Sequence, residues 1–251
     1  MQGMWLWFER RDSRRDLLHE KSLRRFVRRK GEVELKIEAL GVARIGIFAA
    51  LYAVLSLIPI SAFIGAPSFL TLNLIVTPVI AILLNPFEAF FASLFGGVIA
   101  LYAAPFQAMF GHFTILLPIA GSTYGSLAFH KGKTGALAAT SFLVVAISAY
   151  LVKNSPFPYF VVPHLTAILV ALIVSFKKMT SISLRAPLYA FVSTMCEQGM
   201  MMIFAVYLLG LPWQAFAGIL PLMIYERMVG TIGATLLAIP LITIVSKHFT
   251  R

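Results

Sequence analysis

Acidic side chains are nearly absent from most of this chain. Of its ten Asp and Glu, seven (Glu9, Asp12, Asp16, Glu20, Glu32, Glu34 and Glu38) fall in the first forty residues, and beyond them only Glu88, Glu197 and Glu226 remain. Cysteine is reduced to Cys196, which excludes an intrachain disulfide. No G-x-x-x-x-G-K-S/T phosphate loop occurs, so any ATP hydrolysis has to come from a partner; the H-E-x-x-H pair of zinc proteases is missing too. Residues 1–40 lack an apolar core of the length a cleavable leader needs, and the first hydrophobic run is long enough to stay as an anchor.

What fills the chain is apolar. A hydrophobic fraction of 59% and a mean hydropathy of +0.87 exceed the soluble range of roughly 45–50% apolar residues, which points to an all-α, polytopic helical membrane protein. Stretches of about 17–25 apolar residues cross a bilayer as helices. Eight such runs are expected, over 42–59, 69–84, 87–103, 113–130, 134–152, 159–176, 186–209 and 219–246, preceded by a basic, polar segment over 1–40 at the cytoplasm or the membrane surface. The domain plan is therefore 1–40 and a transmembrane domain over 41–251.

Charge sets the orientation. With the N-terminus inside, the cytoplasmic connections carry Lys131, Lys133, Lys177, Lys178, Arg185, Lys247 and Arg251, and the external ones only Lys153. That asymmetry follows the positive-inside rule and places both termini of a multi-pass plasma-membrane protein in the cytoplasm. Of the net charge of +11, the tracts Arg24-Arg25 and Arg28-Arg29-Lys30 suit anionic lipid headgroups better than nucleic acid, because acids are interleaved with them.

The external connections are rich in proline and aromatic residues, among them Phe63, Phe69, Phe106, Phe110, Phe157, Tyr159, Phe160, Trp213 and Phe216. Two readings stay open: an interfacial aromatic belt, or loops that close over a planar ligand. Within the spans, ionisable groups are functional suspects because hydrocarbon cannot solvate charge. Glu197 and Gln198 fall mid-run, and Glu226 and Arg227 lie about two turns into the last run. Neighbours on a helix point about 100° apart, so Arg227 either neutralises Glu197 from the next helix or contacts an anionic ligand. Glu88, just after Asn85-Pro86, reads as a first-turn acid complementing a helix dipole. Asn73 and Thr77 share a helical face. Gln107, His112 and His164 border external loops, with no acid or thiol beside the two histidines to make a metal site. Met195 and Met200 to Met202 are expected to be packing material. Ser122 with His112 or His164 offers no recognisable hydrolase signature, so no enzymatic activity, cofactor or metal is expected.

Small residues mark the first run: Ala43, Gly46, Ala50 and Ala53 recur at helical spacing, and Ala49 with Ala53 makes a small-xxx-small pair that lets another backbone approach. The run Ala43 to Ala53, the proline-containing loop Pro59 to Phe69, the turn Leu84-Asn85-Pro86-Phe87, the Gly/Ala-rich stretch Leu94 to Ala100 and the last run from Tyr225-Glu226-Arg227 to Lys247 together resemble substrate-binding S components of energy-coupling factor (ECF) transporters. Over about 42–130 and 219–247 the chain is similar to that family; it departs from it in having eight runs where the family has six, with 134–176 as an added hairpin or as re-entrant or surface segments. The resemblance implies a non-catalytic subunit for uptake of a vitamin-like or other small micronutrient. It would dock through its first helix (Gly46, Ala49, Ala50 and Ala53) on a transmembrane T component driven by two ABC ATPases. The ligand is expected near the external surface, contacted by Asn73, Gln107, Trp213, Gln214, Tyr225, Glu226 and Arg227. The alternatives are a self-sufficient ion-coupled transporter or channel, in which Glu197 or Glu226 lines the path, and a ligand-free assembly subunit whose small-residue stripes only pack helices.

Overall fold

The computed structural model describes residues 39–63, 68–177, 179 and 181–249. The polar segment 1–38, the loop tip 64–67, Lys178 and Arg251 lie outside the described residues, as does the side chain of Lys247. The helical bundle belongs to a compact unit over 44–251. The protein is an all-α helical membrane protein. Each expected apolar run corresponds to one helix: α1 (Ala39–Leu55), α2 (Val76–Leu83), α3 (Pro86–Ala103), α4 (Leu116–His130), α5 (Gly132–Asn154), α6 (Val162–Phe176), α7 (Ile182–Tyr207) and α8 (Trp213–Phe249). Among the described residues, five stretches are long and apolar enough to cross a bilayer: α3, α5, α6 with the 3-10 turn before it (Pro158–Phe176), α7 and α8. Both halves of the 134–176 segment are among them.

The second run departs from expectation. Its first residues pair as β2 (Ser68–Thr71) with β1 (Pro59–Phe63) in an antiparallel hairpin, with a bulge between Pro59 and Ser61. A 3-10 turn (Leu72–Ile75) then leads into the eight residues of α2. Pro59 sits at the first position of its strand, where its missing N–H costs no ladder bond. The helix comes too late to use the whole run, because Thr71 and Asn73 spend their polar groups on side-chain partners at the base of the hairpin.

Local chemistry sets the ends of α3. The Asn85 side chain accepts from the N–H groups of Phe87 and Glu88, and the Glu88 carboxylate accepts from the Asn85 N–H, closing a capping box with Pro86 at the first turn. Glu88 therefore holds the first-turn place that its position implied, and it also meets Arg44 of α1 at 3.5 Å. Hydroxyls elsewhere bond back to carbonyls four residues earlier, as Thr231 does to Arg227 and Thr235 to Thr231, both at 2.7 Å. Such bonds satisfy hydroxyls where no water is available.

Helix α7 is the centre of the bundle. Buried residues make up 78% of its apolar window, against 28–39% in the other four long spans, and α2, α4, α5, α6 and α8 all pack on it. Two glycines of α4 allow the closest approach. A β-carbon on Gly121 would lie 2.6 Å from Thr77 Cγ2 and 2.9 Å from Glu197 Cβ; one on Gly125 would lie 2.6 Å from Ser193 Cβ. Over this contact, Ser193 Oγ donates to the Gly121 carbonyl at 2.9 Å, and Ser126 Oγ donates to the Leu84 carbonyl at 2.7 Å. Backbones this close gain dispersion and hydrogen bonding, the forces that associate helices when lipid supplies no hydrophobic drive.

Gly125→Leu is expected to destabilise the fold by roughly 1–3 kcal/mol through overpacking. Gly218→Ala, at a site with nothing within 4 Å, is expected to change little. Unfolding in a graded denaturing detergent checks both; equal midpoints for the two variants would contradict the packing described.

Candidate functional site

Where the hairpin meets the bundle, four polar side chains close a network. Ser56, near the end of α1, donates to the Tyr52 carbonyl at 2.8 Å and accepts from the Asn73 amide at 2.8 Å. Asn73 Nδ2 also donates to Gln107 Oε1 at 2.8 Å, and Thr71 Oγ1 lies 2.8 Å from Asn73 Oδ1 and 3.1 Å from Gln107 Oε1. One hydroxyl proton serves whichever oxygen it faces. Ser56, Thr71, Asn73 and Gln107 are all buried, at 0–6% exposure. Asn73 and Gln107, 34 residues apart and each expected to contact a ligand, are brought together in a bond with each other, with Ser56 and Thr71 as partners not foreseen from the sequence. The hint for both was a hydroxyl at an element end, where such groups cap or bridge.

Beneath this lock lie two cavities of about 20 Å3 each, room for about one water apiece. The first is lined by Tyr52, Thr71, Asn73, Gln107 and Glu197, together with Leu70 and Met201. The second takes Gln198, Glu226, Phe160, Phe216 and several methionines, and shares Leu70 and Met201 with the first. Those two side chains, one on the hairpin and one on α7, form the common wall. An aromatic cluster frames the second cavity: Phe160 and Phe216 are 4.9 Å apart by centroids, and Tyr150 is 5.4 and 5.0 Å from them.

The aromatic residues of the connections therefore divide. Phe160 and Phe216 are buried at 0% and 2% and belong to the interior, whereas Phe69, Tyr159 and Trp213 are exposed, as a belt would be. Trp213, Gln214 and Tyr225 line none of these cavities, and all three side chains are exposed. For Tyr225 the reason is helical phase: Glu226 and Arg227 take the inward face of α8, which turns the preceding residue outward. Glu226 lines the second cavity, beside Gln198.

Arg227 goes elsewhere. Its Nη1 approaches Glu197 Oε2 at 3.8 Å, an ion pair in which both side chains are almost wholly buried. The same nitrogen lies 3.5 Å from the Thr194 carbonyl, to which it donates. The neutralisation of one helix's charge by the next is thus the arrangement found. Arg227 also borders a third, larger cavity of about 230 Å3 among α6, α7 and α8. His164, expected at a loop end, is instead fully buried in the first turn of α6, and His112 is exposed. Among the described residues no group of three or more His, Cys, Asp or Glu converges on a possible metal position. Ser122 Oγ donates to the Thr77 carbonyl at 3.4 Å, a helix-packing contact.

The four small residues of α1 also divide. Ala49 and Ala53 are buried, and Ala49 lies against Gly96 of α3, where a β-carbon would come within 3.1 Å of the Ala49 carbonyl. Gly46 and Ala50 are exposed, beside Ile47 and Val54. The small-xxx-small pair thus serves an internal contact, and only the Gly46–Ala50 face is open to another chain.

Comparison of the chain with protein-family models, with curated proteins and with solved structures returns no match.

Asn73→Ala removes a side chain on which three others depend, and is expected to cost about 1–3 kcal/mol through polar groups left unsatisfied. Breaking the ion pair by Glu197→Ala is expected to cost about 3 kcal/mol or more, and Glu197→Gln combined with Arg227→Gln less than that, since no lone charge stays buried. Detergent-unfolding midpoints decide; a double variant weaker than Glu197→Ala would contradict the pairing.

Proposed function

We propose that the protein is the membrane-embedded substrate-binding subunit of an uptake system for a small, vitamin-like micronutrient, an S-component-like chain with no catalysis of its own. By the positive-inside rule the hairpin end faces outward in the plasma membrane, with the termini in the cytoplasm. The observation that carries the reading is the paired cavities beneath the hairpin, walled by aromatic and methionine side chains and supplied with convergent polar groups from Asn73, Gln107, Glu197, Gln198 and Glu226. A few placed polar groups in an otherwise apolar pocket are the usual composition of a small-molecule site.

Such a ligand needs about 300 Å3 or more. Displacing the hairpin would withdraw Leu70 from the common wall and join the two cavities; the Thr71–Asn73–Gln107 lock then sets the resistance to that opening. The ligand contacts under this reading are Asn73, Gln107, Glu226, Gln198, Phe160 and Phe216. Chemical energy would enter through Gly46 and Ala50, the open face of α1, as the docking surface for a T component driven by ABC ATPases. Nothing in the chain binds nucleotide phosphates by a P-loop, which accords with that division of labour.

A second reading, an ion-coupled transporter, draws on the Glu197–Arg227 pair, since ionisable groups at membrane depth commonly mark ion paths. Uptake in proteoliposomes separates the two: dependence on added ATPase partners supports the binding subunit, and collapse on dissipating an ion gradient supports the transporter.

Gly46→Trp and Ala50→Trp are expected to abolish uptake in cells while the purified protein keeps the metabolite-induced rise in melting temperature of the parent chain. The tryptophans belong here, because at Ala49 or Ala53 they would break the α1–α3 contact and report folding instead. Loss of uptake and of ligand stabilisation together would sink the docking assignment.

A further inference from the structure

The cavity of about 230 Å3 lies among α6, α7 and α8 and shares one wall residue, Met223, with the second cavity beneath the hairpin. It is bounded by the first turns of α6, the middle of α7 and α8, and its walls are apolar: Val162, Phe191, Met195, Ile224 and Met228 are among them. Val162, Ile224 and Met228 are each about half exposed, so the cavity opens on the outside of the bundle through apolar side chains. An apolar cavity of roughly 150 Å3 is enough to take benzene. This one therefore has room for a ring or a length of alkyl chain.

One wall residue is charged. Arg227 is 2% exposed, and the only described partners of its guanidinium, the Thr194 carbonyl at 3.5 Å and Glu197 Oε2 at 3.8 Å, both face Nη1. Nε and Nη2 are fully buried and have no hydrogen-bond partner among the described residues. Buried donors without acceptors are costly, more so at membrane depth. The Nε–Nη2 edge of a guanidinium is also the geometry that takes a carboxylate or phosphate by two parallel hydrogen bonds. Glu197 offsets the charge but leaves this edge without a hydrogen bond.

From the apolar chamber, its opening through apolar side chains and the unfilled edge of Arg227, we infer a second ligand site, for an anionic amphiphile that enters from the bilayer. Its head group is held by Arg227, and its apolar body lies among the methionine, phenylalanine and isoleucine side chains. The site is separable from the function proposed above through Thr166, which lines this cavity and neither of those under the hairpin, whereas Glu197, the partner of Arg227, lines the first of them.

The test is equilibrium binding of radiolabelled dodecanoate to the full chain in a neutral maltoside detergent, with unlabelled dodecanoate, dodecanol and benzoate as competitors. Saturable binding is expected, displaced by dodecanoate and by neither of the others. Glu197→Gln with Arg227→Gln, which removes the cation without stranding its partner, is expected to weaken binding by roughly tenfold or more, the scale of one charge-assisted hydrogen bond. Thr166→Trp fills the chamber from the exposed side of α6 and leaves the ion pair intact, so it keeps the test decisive even if the double variant does not fold; the same loss is expected. Binding unchanged in Thr166→Trp, or displacement by dodecanol as effective as by dodecanoate, would overturn the site. Displacement by benzoate as effective as by dodecanoate would overturn the amphiphile and its entry from the bilayer.

Discussion

Hydrocarbon offers no partner to a polar atom, and the arrangement of this bundle follows from where its polar atoms are. Helix α7 carries Ser193, Thr194, Glu197 and Gln198 along one stretch, all of them buried. A helix with that content cannot face lipid, so it takes the centre and its neighbours wrap it. α4 meets it through glycines, which bring the Gly121 carbonyl to the Ser193 hydroxyl, and α8 meets it with the guanidinium of Arg227. The apolar residues fill space around these contacts, but the polar ones determine which helix faces which.

The same constraint separates two kinds of work. At the hairpin end, the amides of Asn73 and Gln107 and the hydroxyls of Ser56 and Thr71 satisfy one another across four segments, none of which alone could bury its polar group. On the flank of α1, nothing polar needs covering, and Gly46 and Ala50 leave a smooth face. The polar network and the exposed small-residue face thus sit at different places on one short helix, with Ala49 packed on Gly96 of α3 between them. Any event that levers α1 from α3 would be felt at Ser56, less than one turn beyond Ala53.

Hydropathy alone made the eight helices legible, because a long apolar run admits few structures in lipid. The capping box at Asn85 and Glu88 was legible for the same local reason: its partners are near neighbours in the chain. What the sequence hid was phase and pairing. Ala49 and Gly46 look alike in a small-residue stripe, and only the position of α3 decides which is inside. Tyr225 was grouped with Glu226 and Arg227 by adjacency, yet a helical step of about 100° turned it outward. The run beginning at Phe69 read as a continuous span, but its first residues hydrogen bond to the strand just before them, a competition that composition does not record. The bond between Asn73 and Gln107 joins two segments whose proximity is set by everything between them.

Helix α8 runs for 37 residues with prolines at 221 and 240. At 1.5 Å per residue its apolar part, Trp213–Ile244, extends over about 48 Å, well beyond a hydrocarbon core of about 30 Å. Burying all of it would take a tilt of about 50°, steeper than the 0–40° that spans adopt. The excess is absorbed by tilting, by bending at Pro221 or Pro240, by local thickening of the bilayer, or by an end that lies along the headgroups. Met223, Glu226 and Arg227 are carried on that same helix and line the cavities. A helix too long for its solvent thus bears the cavity walls, which ties their placement to how the excess length is accommodated.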